Sequence, residues 1–457
     1  MTALTLGRAR VVRPPGPPYS SLGSIRAMRR LRPNGFFDTI HRDHPRLAYV
    51  RFGNEHAYFL FEPDLVRTLL VDAGRATAKG RGLERSKELL GEGLLTSEGE
   101  FHRHQRRLVQ PAFHSTRVAG YAEVMCDEAR RVGDGWRDGA CVDMSTEMSR
   151  LTLRIVGRAL FGTDLRDEDI ATVSRALSTF LARFQLLMMP AAALLGRLPT
   201  PANLRLRAAR DDLDSLVYRM IAEHRASGDT GDLLSMLLIA GADEAGGGMS
   251  DRQIRDEALT LLLAGHETTA NALTWAWLLL ADDRADALRL HREVDALGHP
   301  PAPDDLDKLP FARAVIAESM RLYPPAWTLG RRNTEPLTID EYTVPKGSLL
   351  ATSQWVVHRD PRWWGDATQF RPERWINAEG QFDETAPGAP RGAYFPFGAG
   401  RRVCIGESFA WTEGVLVLAT LAQGWAATSL PETTMDTLPA VTLRPAHGAP
   451  LRLRYRR

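Results

Sequence analysis

The chain reads as a mainly α protein with a small β portion. Three observations carry that reading. Helical patterning runs from about Pro63 to Ala285, a stretch rich in β-formers surrounds a Gly-Asn turn at Leu47–Phe61, and strand-like pieces return between Pro336 and Thr352. In chain order, Pro14-Pro15-Gly16-Pro17-Pro18 makes residues 1–20 an extended lead-in, because proline lacks the N–H that a helix interior needs. Leu47–Phe61 (LAYVRFGNEHAYFLF) is a predicted hairpin. The helical region is broken clearly at Gly241–Gly248 (GADEAGGG). A loop-rich stretch from Asn377 to Tyr394 precedes a last apolar helix over about Glu407–Gln423. No repeat and no boundary isolates a self-sufficient half, so a single domain spanning 1–457 is expected.

Composition narrows the function. The 457 residues are 44% hydrophobic and 25% charged, enough for a sizeable core. The formal net charge of +2 gives no field that would gather nucleic acid. Cys126, Cys141 and Cys404 make neither a disulfide framework nor the four ligands of an iron–sulfur cluster. The opening MTALTLGRAR holds no signal-peptide core, and no run approaches the roughly 20 apolar residues of a membrane span. A cytoplasmic protein without a transmembrane anchor is expected. Lys79, Lys87, Lys308 and Lys346 are the only lysines against a large excess of arginine, a bias that points to a GC-rich bacterial genome.

The longest predicted helix is the most informative. Ser250 and Gln253 form a capping-box pair ahead of the apolar run Ala258–Leu263. Helical character continues to about Ala281, roughly 45 Å at ~1.5 Å per residue, long enough to cross a domain. Ala264, Gly265, Thr268, Thr269 and Ala272 share one small, flat face. Close helix packing explains such a face, and so does a planar cofactor lying against it.

The segment Phe397-Gly398-Ala399-Gly400-Arg401-Arg402-Val403-Cys404-Ile405-Gly406 carries the chemistry. Its two glycines allow a tight turn, since glycine adopts φ > 0 freely. Cys404 follows just ahead of a helix, where N–H groups and the positive helix end stabilise a thiolate. Gly406 leaves room for a flat ring, and Arg402 is placed to pair with an anionic substituent on it. A dinucleotide fingerprint is excluded, because Val403 replaces the third glycine and no parallel strand precedes the turn. A lone cysteine is ordinarily a small buried hydrophobe; the flanking Phe-Gly-Gly-Arg-Gly pattern argues otherwise.

At these residues the chain resembles the cytochrome P450 family, whose signature F-x-x-G-x-R-x-C-x-G is matched at every fixed position. Three further stretches follow the family order: Ala264-Gly265-His266-Glu267-Thr268-Thr269, Glu318-Ser319-Met320-Arg321 and Pro372-Glu373-Arg374-Trp375. Glu318, Arg321 and Arg374 are expected to form a buried structural network that fixes the loop presenting Cys404. The resemblance implies the P450 fold, a long central helix over the heme and a cysteine-ligand loop before a late helix, in a soluble bacterial, actinobacterial heme-thiolate monooxygenase. It implies heme b (iron protoporphyrin IX) with Cys404 as the iron ligand and Phe397, Gly406, Ala264 and Gly265 around the ring.

By the same resemblance, His102, Arg106 and Arg331 contact the heme propionates, His102 standing where the family often has tryptophan. Glu267 and Thr268 are the implied catalytic pair, passing protons to the activated oxygen. His266-Glu267 starts like a zinc-protease motif, but Ala270 stands where its second histidine would be. Electrons are expected from NAD(P)H through a ferredoxin and its reductase. Ala264, Thr268, Trp327 and Thr328, with Ala76–Leu95 and Phe180–Leu198, are the candidate substrate pocket. Their apolar character favours a terpenoid or other secondary metabolite as the substrate hydroxylated. Alternatives are a fatty-acid hydroxylase, a peroxide-using peroxygenase and a non-enzymatic heme sensor.

Overall fold

The computed structural model describes residues 13–187, 198–229, 231–241, 249–385 and 388–456. The predicted break at Gly241–Gly248, apart from its first residue, and most of the end of Phe180–Leu198 lie outside the described residues. Fourteen α-helices are named among them: α1 Ser21–Asp43, α2 Pro63–Leu70, α3 Arg81–Leu90, α4 Gly99–Val109, α5 Ser115–Gly135, α6 Met144–Phe161 and α7 Asp167–Leu187; then α8 Pro201–Ser227, α9 Leu233–Gly241, α10 Asp251–Asp282, α11 Arg284–Asp295, α12 Pro310–Leu322, α13 Gln354–Val357 and α14 Glu407–Gly424. The strands are short: β1 Leu47–Phe52, β2 Glu55–Leu60, β3 Thr77–Lys79, β4 Cys141–Asp143, β5 Leu329–Asn333 and β6 Leu337–Ile339; then β7 Tyr342–Val344, β8 Leu349–Thr352, β9 Trp425–Ser429, β10 Thr437–Pro439, β11 Leu443–Pro445 and β12 Pro450–Tyr455. The mainly α architecture matches the expectation.

Two compact units make up the chain. One consists of Met1–Arg81, Thr328–Val357 and Pro390–Val403; the other of Gly82–Trp327, His358–Ala389 and Cys404–Arg457. Each is assembled from three separated stretches, which is why no boundary is visible along the sequence.

In the first unit, the predicted hairpin forms as β1 and β2, antiparallel around Gly53 at φ 61°. It extends into a sheet of order β1-β2-β8-β5-β3, in which β2 and β8 run parallel. The proline-rich lead-in lies extended, and Pro15 O accepts from Tyr49 N at 2.9 Å. Helix α1, absent from the sequence expectation, is capped by Ser20 and interrupted at Arg32 (φ 59°), ahead of Pro33. The clash of a proline ring with the preceding turn explains the interruption. Phe37 packs edge-on against Phe59 at 5.0 Å, closing the core between α1 and the sheet.

The second unit is organised by α10, which realises the predicted long helix and its Ser250–Gln253 capping box. Trp275 and Trp277 are buried on it, and it packs against α6, α12 and α14. Trp275 stacks on Tyr323, just beyond α12, with ring centroids 4.0 Å apart. Carboxylates near the start of α10 hold a loop from before α4: Asp256 accepts from Glu92 N at 2.8 Å and Glu257 from Leu94 N at 2.9 Å. Gly91 and Gly93 permit this approach, because a Cβ at either would lie 2.2 Å from a side-chain atom of Asp256 or Thr260.

Candidate active site

The turn before Cys404 belongs to the first unit and follows from its glycines. Gly398 and Gly400 stand at φ 72° and 70°, as predicted. Gly400 is doubly constrained, since a Cβ there would lie 2.4 Å from Leu70 O. Arg402 Nη1 and Nη2 donate to the carbonyls of Gly74 (3.3 Å) and Thr77 (2.9 Å). Its guanidinium thus staples the turn to Gly74 and to the first residue of β3. Phe397 is half-buried in the same turn.

Cys404 opens the last stretch of the second unit, two residues before Gly406 at the N-cap of α14. The side chain is exposed. Desolvation by the protein around it pushes the thiol up, while the Gly406 N–H and the Arg106 guanidinium favour the thiolate. A Cβ on Gly406 would meet the Phe113 ring at 3.7 Å and the Cys404 sulfur at 4.0 Å, so glycine keeps the space beside the sulfur clear. Arg106 and His102 lie one turn apart on α4, Arg106 half-buried and His102 buried. Burial lowers the Arg106 pKa, and the nearby Cys404 charge opposes that shift.

Helix α10 carries a window. From Ile254 to Leu280 every residue is buried except Ala264, Gly265 and Thr268, which cluster on one face. Four consecutive carbonyls beside the window accept from side chains: Ala264 O from Thr268 (2.9 Å), Gly265 O from Thr269 (3.3 Å), His266 O from Thr152 (3.1 Å) and Glu267 O from Asn271 (2.8 Å). Such bonds draw carbonyls off the helical ladder and fix the local backbone.

Glu267 is buried and heavily bound. Its Oε1 accepts from Thr442 Oγ1 at 2.6 Å, Arg444 Nε at 2.5 Å and Asn271 Nδ2 at 2.9 Å, and its Oε2 from Arg444 Nη2. Burial alone would raise this carboxyl; the Arg444 guanidinium, with His266 and the Thr442 hydroxyl, outweighs burial and holds it below the usual carboxylate range. His266 is buried beside it with Nδ1 on Leu262 O at 2.9 Å, and burial pushes its pKa down. Among the described residues, no group of three or more His, Cys, Asp and Glu is arranged to hold a metal ion.

Thr442 and Arg444 escaped the sequence reading, because nothing local marks a residue of the short strand β11, or the one just before it, as a partner of a helix. Asn271 was findable as the residue four positions after Glu267. Glu413 on α14 was also missed. It is fully buried, neither oxygen makes a hydrogen bond, and burial pushes its carboxyl up to about 8, against a weaker opposing influence from the Thr269 hydroxyl.

The predicted structural triad comes together. Glu318 accepts from Arg321 Nε and Nη2 at 2.8 Å each, from Arg374 Nε at 3.1 Å and from Trp375 Nε1 at 2.9 Å. Arg321 Nη1 also reaches His358 O and Ala367 O, so the network secures the stretch His358–Trp375. The contacts of these three residues lie in that stretch rather than in the cysteine turn, where the motif alone would place their effect.

Arg331 is buried on β5 with Nη1 on Gly330 O at 3.0 Å. Trp327 Nε1 donates to Ala440 O at 3.0 Å, and Thr328 Oγ1 to Thr352 O at 2.9 Å. The polar atoms of both pocket candidates are therefore engaged by backbone.

The family model described as Cytochrome P450 matches residues 14–446. Cyclooctatin synthase of Streptomyces melanosporofaciens is 40% identical, over 90% of this chain and 88% of that protein. Cyclooctat-9-en-7-ol 5-monooxygenase of the same organism is 37% identical, over 86% and 84%. Pentalenene oxygenase of Streptomyces avermitilis is 35% identical, over 90% of both chains. In structure the chain is similar to a six-coordinated cytochrome P450 from Thermus thermophilus, with a TM-score of 0.70, 31% identity, and 90% of this chain and 96% of that chain covered. With the cysteine turn, the α10 window and the Glu318–Arg321–Arg374 network in place, the chain belongs to the cytochrome P450 family of heme-thiolate monooxygenases.

Proposed function

We propose that this protein binds heme b through Cys404 and hydroxylates an apolar terpenoid of secondary metabolism, with electrons passing from NAD(P)H through a ferredoxin and its reductase in the cytoplasm. The observation that carries the reading is an exposed thiol with the Gly406 N–H directed at it, in a chain whose relatives include a cyclooctat-9-en-7-ol 5-monooxygenase and a pentalenene oxygenase. Among the described residues no helix is long and apolar enough to cross a membrane.

The residues present fit a heme. Cys404 offers an anionic sulfur donor, and the open faces of Ala264 and Gly265 offer no side chain large enough to obstruct a flat ring. His102 and Arg106 supply donors suited to propionates, with Arg331 a third, and Phe397 and Gly406 are assigned to the ring's surroundings. Once bound, heme supplies dioxygen activation, which an electron-rich thiolate favours. Thr268 positions water at the window, and Glu267 next to it passes protons toward that water. Trp327, Thr328, Ala264 and Thr268 are assigned to the substrate pocket by the family resemblance, the polar side-chain atoms of the first two being engaged by backbone carbonyls.

A spin-state titration tests the reading. Heme-loaded protein is titrated with terpenoid hydrocarbons and alcohols, and separately with fatty acids. Terpenoids are expected to shift the Soret band to the high-spin position and to give hydroxylated product with ferredoxin, reductase and NAD(P)H. A shift and product confined to fatty acids, or turnover supported by peroxide alone, would replace this reading.

A further inference from the structure

Charge is spread unevenly along the chain. Arg8, Arg10, Arg13, Arg26, Arg29, Arg30 and Arg32 all precede Asp38, the first acidic residue, although the whole chain carries only +2. The remainder is therefore net acidic. Four of these arginines belong to α1, up to its interruption at Arg32, and all four are exposed. Among the described residues none of the four is paired with a carboxylate. The carboxylates of α1 itself are engaged elsewhere: Asp38 accepts from Trp355 Nε1 at 2.9 Å and Asp43 from Arg42 Nε at 3.1 Å.

The arginines share a face. Leu22, Arg26, Arg29 and Arg30 stand at i, i+4, i+7 and i+8, which is one side of a helix. Leu22 is 65% exposed on that side, and Tyr19, 39% exposed, stands just before the Ser20 cap. Ser24 is buried, and Met28 and Leu31 are half-buried. The first half of α1 thus turns these residues inward and presents to solvent a basic side that carries a leucine.

We infer that this face of α1 is a docking surface for an anionic lipid bilayer. The inference does not depend on the substrate proposed above. Guanidinium groups make paired, charge-assisted hydrogen bonds to phosphate oxygens. The negative potential of an anionic leaflet draws such groups in once they are within a Debye length of it. Leu22 and Tyr19 separate lipid from other polyanions. At a bilayer boundary a leucine enters the acyl region and a tyrosine sits among the headgroups. A nucleic-acid backbone offers Leu22 no apolar partner. Four arginines and one leucine make the attachment reversible, unlike that of a spanning helix.

The test is co-sedimentation of the heme-loaded full chain with two kinds of vesicle, at low and at high salt. One is phosphatidylcholine alone; the other is equal parts phosphatidylcholine and phosphatidylglycerol. The variants are Arg26→Gln/Arg29→Gln/Arg30→Gln and Leu22→Ser. Arg137→Gln/Arg284→Gln/Arg292→Gln, whose arginines are exposed elsewhere, is a control with the same change of charge. The ferrous–CO band and circular dichroism check the fold of each. The parent is expected on the mixed vesicles only, and to leave them at high salt. At roughly fivefold per arginine, the triple α1 variant should bind roughly 100-fold more weakly. Leu22→Ser should bind several-fold more weakly and the control like the parent. An equal loss in the control would mean adsorption by overall charge and would overturn the docking face, as would a parent that ignores the mixed vesicles. If the parent instead binds an acidic ferredoxin or duplex DNA, and the triple α1 variant does not, the face belongs to that partner and lipid docking is wrong.

Discussion

Arg321 donates through Nε and Nη2 to the two carboxylate oxygens of Glu318, each at 2.8 Å, and both side chains are completely buried. Removing one member strands the other charge without solvent, a change that costs about 3–5 kcal/mol. Glu318→Ala and Arg321→Ala are expected to fold poorly and to retain little heme. Arg374→Ala, at the partly exposed rim of the network, should cost about 1–2 kcal/mol, within the range for a lost charge-assisted hydrogen bond. Urea unfolding followed by circular dichroism orders the three; equal stability of Arg321→Ala and the parent would contradict the assignment.

Gly400 combines φ 70° with a backbone oxygen 2.4 Å from the position of a Cβ. Gly400→Ala should destabilise the cysteine turn by more than about 1 kcal/mol, since alanine neither favours that φ nor fits the space. Thermal melting tests this. Gly53→Ala, at φ 61° with no atom within 4 Å of a Cβ, is the control and should cost less.

Glu413 is neutral in the fold, with its carboxyl raised to about 8 from the ordinary value of 4.5. Between those values the folded chain binds more protons than the unfolded chain, so stability falls as pH rises from about 4.5 to about 8, by up to ~1.4 kcal/mol per pH unit. Glu413→Gln should remove this component and be more stable than the parent at pH 9. Urea midpoints at pH 6 and pH 9 give the comparison, and an unchanged difference between the two pH values would show that Glu413 does not titrate there.

Cys404→Ser should fold but lose the red-shifted ferrous–CO band, because oxygen is a poor substitute for an electron-rich sulfur ligand. A retained band would exclude Cys404 as the ligand.

Thr268→Ala deletes the hydroxyl at the α10 window and its bond to Ala264 O. Heme binding should persist, while NAD(P)H consumption is diverted largely to peroxide. Product and peroxide assays on the same reaction check this, and parent-level coupling would remove Thr268 from the proton path.

The chemistry of this protein was legible wherever its signal is local. A capping box needs residues three apart, a left-handed turn needs a glycine, and Glu318 with Arg321 needs a single helical turn; each appears as predicted. The interruption of α1 at Arg32 was not read, although Pro33 marks it, because the surrounding arginines show no apolar period.

The residue sequence by itself determined the family, the glycine turn ahead of Cys404 and the long helix α10 with its capping box, because short-range backbone geometry is encoded by adjacent residues. Tertiary structure alone decided the surroundings of those groups. Arg444 meets Glu267 from 177 positions away, Arg402 turns to backbone carbonyls, and Glu413 is buried without a hydrogen bond. Charge pairing and desolvation depend on which elements pack together, and packing is a property of the whole fold.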